Sequence, residues 1–127
     1  MGRQAIQQQL ESLNTLPEGK ERLNALVANT LEKASNEEYG DALGSLCQEL
    51  AKQPGKPAEA SAELMQEVIN WASKQLAALG KSVEQATEFA SYFVATLQGI
   101  HLLSSTFKNI SLTEKQCQTL NNWVAAV

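Results

Sequence analysis

The feature that most limits the possible folds is a long stretch without charge near the carboxyl end. No Asp, Glu, Lys or Arg lies between Glu88 and Lys108. If the stretch is helical, its apolar positions cover an arc of about 200°, roughly twice what a one-sided surface helix needs. A stripe of Ser91, Gln98 and Ser105, uncharged residues at intervals of seven, occupies the remaining surface. The pattern predicts a helix that packs against its own domain on one side and against a second subunit on the other.

A membrane span is the alternative interpretation of so long an uncharged stretch. Several polar side chains interrupt it, however, and make it too polar for the hydrocarbon core of a bilayer. The amino-terminal residues also lack an apolar segment of signal-peptide length. We therefore expect a cytoplasmic protein with no membrane partner. The interrupting residues are Ser91, Thr96, Gln98, His101, Ser104, Ser105 and Thr106.

Apolar residues recur at intervals of three and four through most of the chain, which is the period of an α-helix, and strand signals are almost absent. The pattern predicts an all-α domain of about six helices in an orthogonal type of bundle. The helices are expected at about 4–13, 15–34, 38–52 and 58–79, and the last two begin at Ser82 and Ser111. Prolines at both ends of 54–57 mark the clearest break. A short turn at 108–110 predicts that the last two helices pack antiparallel, as a hairpin that forms a dimer.

Local signals predict where these helices begin and which face each one buries. The segments 15–18, 82–85 and 111–114 have the spacing of capping boxes, and Gly80 suits a left-handed helix cap. Both the second and the fourth helix are expected to bury one face only. The stripe of the second helix is Leu23, Leu26, Val27, Thr30 and Leu31. That of the fourth is Met65, Val68, Ile69, Ala72, Leu76 and Leu79, with Leu64 and Trp71 outside it.

Length and charge narrow the function. A chain of 127 residues fits a single domain that buries its own core. Ten Lys and Arg residues against fourteen Asp and Glu give a net charge of -4, and the basic residues do not cluster. Because phosphate neutralisation requires a concentrated basic face, we expect this domain not to bind nucleic acid directly.

The chain offers few groups for catalysis or metal binding. His101 is the only histidine, and the CxxC spacing of structural zinc is absent. Cys47 and His101 lack a recognisable third group that would complete a nucleophilic site, and Glu84 and Glu88 have the pattern of a solvated first helical turn. We therefore expect no enzyme activity, no cofactor and no metal. Cys47 and Cys117 are expected to be buried structural thiols, with a disulfide or a redox role as the alternative.

Three strings of the sequence resemble the patterns of one known family. They are GDALGSLCQELAKQ at 40–53, VINWASKQLAALGKS at 68–82 and EFASYFVATLQGIHLLSSTF at 88–107. In order and spacing they look like the C-terminal regulatory domain of the tetracycline-repressor (TetR) family of transcriptional regulators. The resemblance covers nearly the whole of 1–127 as a single domain. It departs from the family in lacking the helix-turn-helix head that would precede this domain, so DNA would be contacted only through a head that is missing here.

The resemblance implies a homodimeric, ligand-sensing domain of a repressor. A small apolar effector would bind among the third, fourth and fifth predicted helices and change the spacing of the two DNA-binding heads. From helical facing, the expected ligand-binding residues are Leu46, Cys47, Leu50, Met65, Ile69, Phe93, Leu97 and His101. The expected dimer interface consists of Tyr92, Thr96, Gly99, Leu103, Phe107, Leu120 and Trp123.

Simpler interpretations of the same residues stay open. A lone histidine on an apolar face is commonly a core or rim residue, and Met65 and Phe93 at helical spacing are commonly core. The alternative function is a helical protein-interaction or scaffolding module whose broad apolar helix binds a different partner and no small molecule. A cavity with a few converging polar groups would favour the ligand sensor, whereas a solid core beneath an apolar patch would favour the scaffold.

Overall fold

The computed structural model describes residues 2–36 and 56–127 of the chain. Within these ranges it contains five α-helices and no strand, which confirms the all-α class for this part of the chain. The helix predicted at 38–52 lies outside the described residues. The five helices are α1 (Gly2–Leu13), α2 (Lys20–Ser35), α3 (Lys56–Ala77), α4 (Val83–Phe107) and α5 (Ile110–Ala126).

One hydrophobic core joins all five helices. The longest helix, α4, packs against α2, α3 and α5, and Phe93 at its middle is fully buried. Leu23 of α2, Leu76 of α3 and Val124 of α5 are equally inaccessible to solvent. α1 reaches the same core through Ile6 and Leu13, so the amino-terminal helix is part of the packed domain.

The junction between α1 and α2 differs from the sequence prediction. α2 begins at Lys20 rather than at a capping box formed by 15–18, and no side chain caps it. The Thr15 hydroxyl instead donates to the carbonyl of Ser12, at the end of α1. Gly19 precedes α2 with a φ of 101°, and its amide donates to Gln75 Oε1 of α3 at 3.2 Å. This tertiary contact prevails over the local capping signal and sets the start of α2.

α3 buries part of the predicted stripe, namely Val68, Ala72 and Leu76, together with residues outside it. Its buried side includes Leu64 and Trp71, which the sequence placed outside the apolar stripe, whereas Met65 and Ile69 are only partly buried at the edge of the core. The cause is the connection between α1 and α2, which packs on this side of α3. There Trp71 Nε1 donates a hydrogen bond to Asn14 Oδ1 at 2.8 Å.

α4 and α5 are capped by side chains at their first turns. The Ser82 hydroxyl accepts the Gln85 amide at 3.2 Å, so the predicted cap of α4 is confirmed. α5 is capped by Asn109 rather than by Ser111, because the Asn109 side chain accepts the Leu112 amide at 3.3 Å. The connection between the two helices is therefore only two residues long, at 108–109.

Two contacts define how α4 and α5 run relative to each other. Near the start of α4, the Phe89 ring meets the Trp123 ring near the end of α5, with centroids 5.9 Å apart. Near the end of α4, the buried Ser104 hydroxyl accepts a hydrogen bond of 3.1 Å from Thr113, near the start of α5. The two helices are therefore antiparallel neighbours.

The described residues cover one side of α4. On the opposite side Tyr92, Leu102, Leu103 and Phe107 are exposed. One of the two sides that the sequence predicts to be buried thus faces the core, and the other lies open on the surface. No helix of the described residues is long and apolar enough to cross a membrane. The covered side consists of Ala86, Ala90, Phe93, Val94, Leu97, Ile100 and Ser104.

Candidate functional site

A pocket lies where four of the helices converge. Its walls on α2 and α4 follow one helical spacing, i, i+3, i+4 and i+7, so each helix presents a single continuous face to it. α1 and α3 complete the walls. The lining residues are Ile6, Gln9 and Leu10 of α1, Leu26, Asn29, Thr30 and Lys33 of α2, Val68 of α3, and Val94, Leu97, Gln98 and His101 of α4.

Half of this lining is apolar. The apolar members come from all four helices, and five of them, Ile6, Leu26, Val68, Val94 and Leu97, also belong to the buried core. The pocket is thus an opening in the edge of the core rather than a groove on the polar surface. An opening lined by such apolar side chains favours hydrocarbon groups over water.

The polar part of the pocket is organised around a contact between α2 and α4. The Thr30 Oγ1 atom lies 3.2 Å from His101 Nε2, although 71 positions separate the two residues. The Thr30 hydroxyl also lies 3.3 Å from the Leu26 carbonyl, to which it can donate. The imidazole tautomer decides which group donates between Thr30 and His101: Thr30 Oγ1 accepts when Nε2 carries the hydrogen and donates when it does not. This bond orients the imidazole at the wall of the pocket.

One formal charge lines the pocket. Lys33 follows Thr30 by one helical turn and is partly buried. The other polar members, Gln9, Asn29 and Gln98, carry neutral amides, and no Asp or Glu is among the described lining residues. The electrostatic character of the pocket is therefore positive.

The pocket is small in the conformation described here. Its volume is about 30 Å³. A single water molecule needs roughly 10–15 Å³ measured in this way, so the space holds about two waters. An apolar cavity that admits a six-carbon molecule such as benzene is about five times larger, near 150 Å³. A ligand of that size therefore requires one wall to move.

The structure brings together only part of the predicted ligand-binding set. Leu97 and His101 line the pocket, whereas Met65, Ile69 and Phe93 do not. Phe93 is fully buried in the core, and Met65 and Ile69 pack, partly buried, against the core outside the pocket. Three further residues of the set, Leu46, Cys47 and Leu50, lie outside the described residues.

Sequence reasoning missed the contributions of α1 and α2 to this site. One signal was present, because Thr30 places a hydroxyl inside an otherwise apolar stripe of α2. A buried hydroxyl needs a hydrogen-bond partner, and Thr30 has two, the Leu26 carbonyl of its own helix and His101 of α4. For Gln9, Asn29 and Lys33 no comparable signal exists, since polar residues at the edge of an amphipathic helix are ordinary.

A second surface of interest is the part of the predicted dimer interface that lies on α4. We call Tyr92, Thr96, Gly99, Leu103 and Phe107 the α4 strip. Their spacing of four, three, four and four places them on one face of the helix. Three of them are large and accessible, with exposed fractions of 51% for Tyr92, 38% for Leu103 and 62% for Phe107. The α4 strip is therefore an apolar surface that the other described residues leave exposed.

The two predicted interface residues of α5 differ from each other. Leu120 is only 2% exposed and packs in the core of its own chain, so the structure does not bring it to the surface. Trp123 is partly exposed and lies beside the α4 strip, with its ring centroid 5.0 Å from that of Tyr92. Trp123 thus extends the apolar surface onto α5.

The remaining reactive groups do not form a site. Cys117 is a free thiol buried in the core, and this burial raises its pKa above the ordinary value. Within 2–36 and 56–127, no three His, Cys, Asp or Glu side chains are grouped so that they could hold a metal ion. Comparison with protein-family models, with curated proteins and with solved structures finds no match to this chain.

Proposed function

We propose that this chain is a ligand-sensing and dimerisation domain similar to the regulatory domain of a TetR-like transcriptional repressor. The observation that carries the proposal is the pocket, which combines core-facing hydrocarbon walls with a hydrogen-bonded pair, Thr30 and His101, contributed by two helices distant in sequence. Pockets that bind small molecules combine apolar walls with a few fixed polar groups, and this pocket has both elements.

We propose that α1 moves outward when a ligand binds in this pocket. α1 supplies three lining residues, Ile6, Gln9 and Leu10, and its own apolar side is narrow. Outward movement of α1 would enlarge the pocket toward the size of a six-carbon ligand. A ligand that binds only the enlarged form shifts the population of molecules toward that form. A sensor needs this coupling between ligand binding and conformation.

Dimerisation is proposed through the α4 strip. Pairing of this strip with the same strip of a second copy about a two-fold axis would remove Tyr92, Leu103 and Phe107 from water. Gly99 lies in the middle of the strip, where a missing side chain permits close approach of two backbones. The partly exposed Trp123 would lie at the edge of the same interface.

Titration with 1-hexanol, followed by two-dimensional NMR of the backbone amides, tests the pocket. We expect concentration-dependent shifts at Thr30, Leu97 and their neighbours. Leu97→Trp fills the pocket and should abolish these shifts, whereas Gln118→Trp adds the same indole at an exposed position of α5 and should preserve them. Shifts that persist unchanged in a folded Leu97→Trp variant would place the ligand elsewhere and contradict the proposed pocket.

Sedimentation of the parent chain and of Leu103→Glu tests the dimer. We expect a dimer for the parent and a folded monomer for the variant, because a carboxylate buried in the α4 strip would lack a partner there. Gln118→Glu, which adds the same charge at an exposed position of α5 on another face from Trp123, is the control and should remain dimeric. A parent chain that is monomeric at tens of micromolar would refute self-association.

The second candidate function is a helical protein-interaction module. It is favoured by one observation, that the exposed apolar surface extends beyond the α4 strip to Leu102 and Ile110. A dissimilar partner could cover this wider surface, whereas a two-fold contact centred on Gly99 would leave its edge exposed. A monomeric parent chain with no response to 1-hexanol at Thr30 would favour this second function.

A further inference from the structure

The chemistry of the pocket identifies the class of ligand more closely than the proposed function requires. On α2 the lining changes along the chain from Leu26 through Thr30 to Lys33, that is, from apolar to charged over two helical turns. On α4 it changes in the same order, from Val94 to His101. The two polar ends meet, because Thr30 Oγ1 and His101 Nε2 are 3.2 Å apart.

The polar end is suited to an anion. Lys33 can only donate hydrogen bonds, and it is the one formally charged residue among the described lining residues. The amides of Asn29 and Gln98 add further N–H donors. With no carboxylate among those residues, a negative ligand group meets attraction without repulsion, and charge-assisted bonds to such a group are stronger than neutral ones.

The apolar end is suited to a hydrocarbon tail. Leu26, Val94 and Leu97 form part of the core there, and Ile6 and Leu10 close the side contributed by α1. A fully polar anion such as phosphate would keep its hydration shell, and these apolar walls would then stay in contact with water. A neutral hydrocarbon would leave the Lys33 end unused.

We infer that the pocket binds a small amphipathic carboxylate, with its head group at Lys33 and its hydrocarbon tail between α1 and α4. This inference rests on the proposed ligand-sensing function and names the ligand class for that same pocket. A ligand with an ammonium head is disfavoured, since it would face the Lys33 charge and offer the amides no acceptor.

Three six-carbon probes that differ only in the head group test the inference: hexanoate, 1-hexanol and hexylammonium. Their affinities are measured by NMR titration, read at Thr30 and Leu97. We expect hexanoate to bind about tenfold more tightly than 1-hexanol, and hexylammonium to bind most weakly. Raising the salt concentration should weaken the binding of hexanoate and leave the binding of 1-hexanol unchanged.

Variants at Lys33 separate recognition of charge from binding of the tail. Lys33→Gln should lower the affinity for hexanoate about tenfold and change that for 1-hexanol by less than about twofold, whereas Lys33→Arg should retain hexanoate binding. Lys74→Gln removes the same charge from an exposed position of α3 and should leave both affinities unchanged. Circular dichroism of each variant verifies that it is folded.

The outcomes separate the inference from the function on which it rests. If 1-hexanol binds in the pocket as tightly as hexanoate, or if Lys33→Gln binds hexanoate like the parent chain, the carboxylate inference is wrong and the ligand-sensing function stands. If neither probe perturbs Thr30 and Leu97, or if the shifts are confined to the exposed Leu102 and Phe107, both proposals fail.

Discussion

Trp71 Nε1 donates a hydrogen bond to Asn14 Oδ1 at 2.8 Å, and this contact joins the buried face of α3 to the residue that follows α1. Trp71 is nearly inaccessible, so its N–H has little access to water. A buried donor without a partner carries the full cost of its desolvation. The bond therefore fixes both the rotation of α3 and the position of the α1–α2 connection.

Asn14→Ala should lower the free energy of unfolding by about 1–2 kcal/mol, because it leaves the indole N–H of Trp71 unpaired. The measurement is urea denaturation followed by circular dichroism. Trp71→Phe removes the donor, so in that background Asn14→Ala should cost less than about 0.5 kcal/mol. An equal loss in both backgrounds would mean that the hydrogen bond contributes nothing to stability.

Gly19→Ala should destabilise the fold by about 2 kcal/mol or more, for two reasons. Gly19 has a φ of 101°, and a Cβ atom there would lie 3.0 Å from Leu79 Cδ2. Gly80 is the matched control, because its φ of 90° is similarly strained for other residues but a Cβ atom there meets nothing within 4 Å. Gly80→Ala should therefore cost only about 1 kcal/mol. Equal losses in chemical denaturation would show that contact with Leu79 is unimportant.

Gly99→Ala should have opposite effects on folding and on self-association. A Cβ atom at Gly99 meets nothing within 4 Å in the single chain, so alanine should stabilise α4 by about 0.5–1 kcal/mol. If two α4 strips pair with Gly99 at their centre, the added methyl group should weaken the dimer, as measured by sedimentation. Ala95→Gly, at an exposed position of α4 outside the strip, should destabilise the helix without affecting the dimer. A Gly99→Ala dimer as stable as the parent would exclude close approach at this residue.

Stability should fall in alkali through the buried thiol of Cys117. Burial raises the pKa of this thiol in the folded state, whereas in the unfolded chain it ionises at about pH 8.5. Above about pH 8.5 the unfolded chain releases a proton that the folded chain retains, so a rise in pH favours unfolding. The contribution of the thiol to the free energy of unfolding is therefore fully present below about pH 8.5 and is lost as the pH rises toward the higher folded pKa. In a Cys47→Ser background, Cys117→Ala should remove up to about 1.4 kcal/mol of this decline per pH unit. Identical pH profiles with and without Cys117 would contradict the expectation.

The helical period of the sequence was sufficient to predict the class and the approximate positions of the described helices. The local cap at Ser82 was also correct, because a capping serine and the amide it binds lie within one turn. The start of α2 was predicted wrongly, because it depends on a hydrogen bond between Gly19 and Gln75, which lie 56 positions apart. Capping patterns carry no information about such a contact.

The candidate site was predictable only where it coincides with the core face of α4. Leu97 and His101 follow from the helical spacing of that face. The pairing of His101 with Thr30 depends on how α2 crosses α4, which no local pattern specifies. Met65 was assigned by a stripe that left out Trp71, whose indole N–H is paired with Asn14, a residue outside α3 that the periodicity of α3 cannot reveal.

The wall that α1 contributes to the pocket has a consequence for amide hydrogen exchange. α1 is anchored to the core by only two fully buried side chains among its described residues, Ile6 and Leu13. A helix held in this way should exchange its amide protons through a local opening that requires less free energy than global unfolding. If the same opening enlarges the pocket, exchange in α1 should report the fraction of molecules competent to admit a ligand. A bound ligand whose tail packs against α1 should slow this exchange. Protection of the backbone amides should then rise more in α1 than in α5.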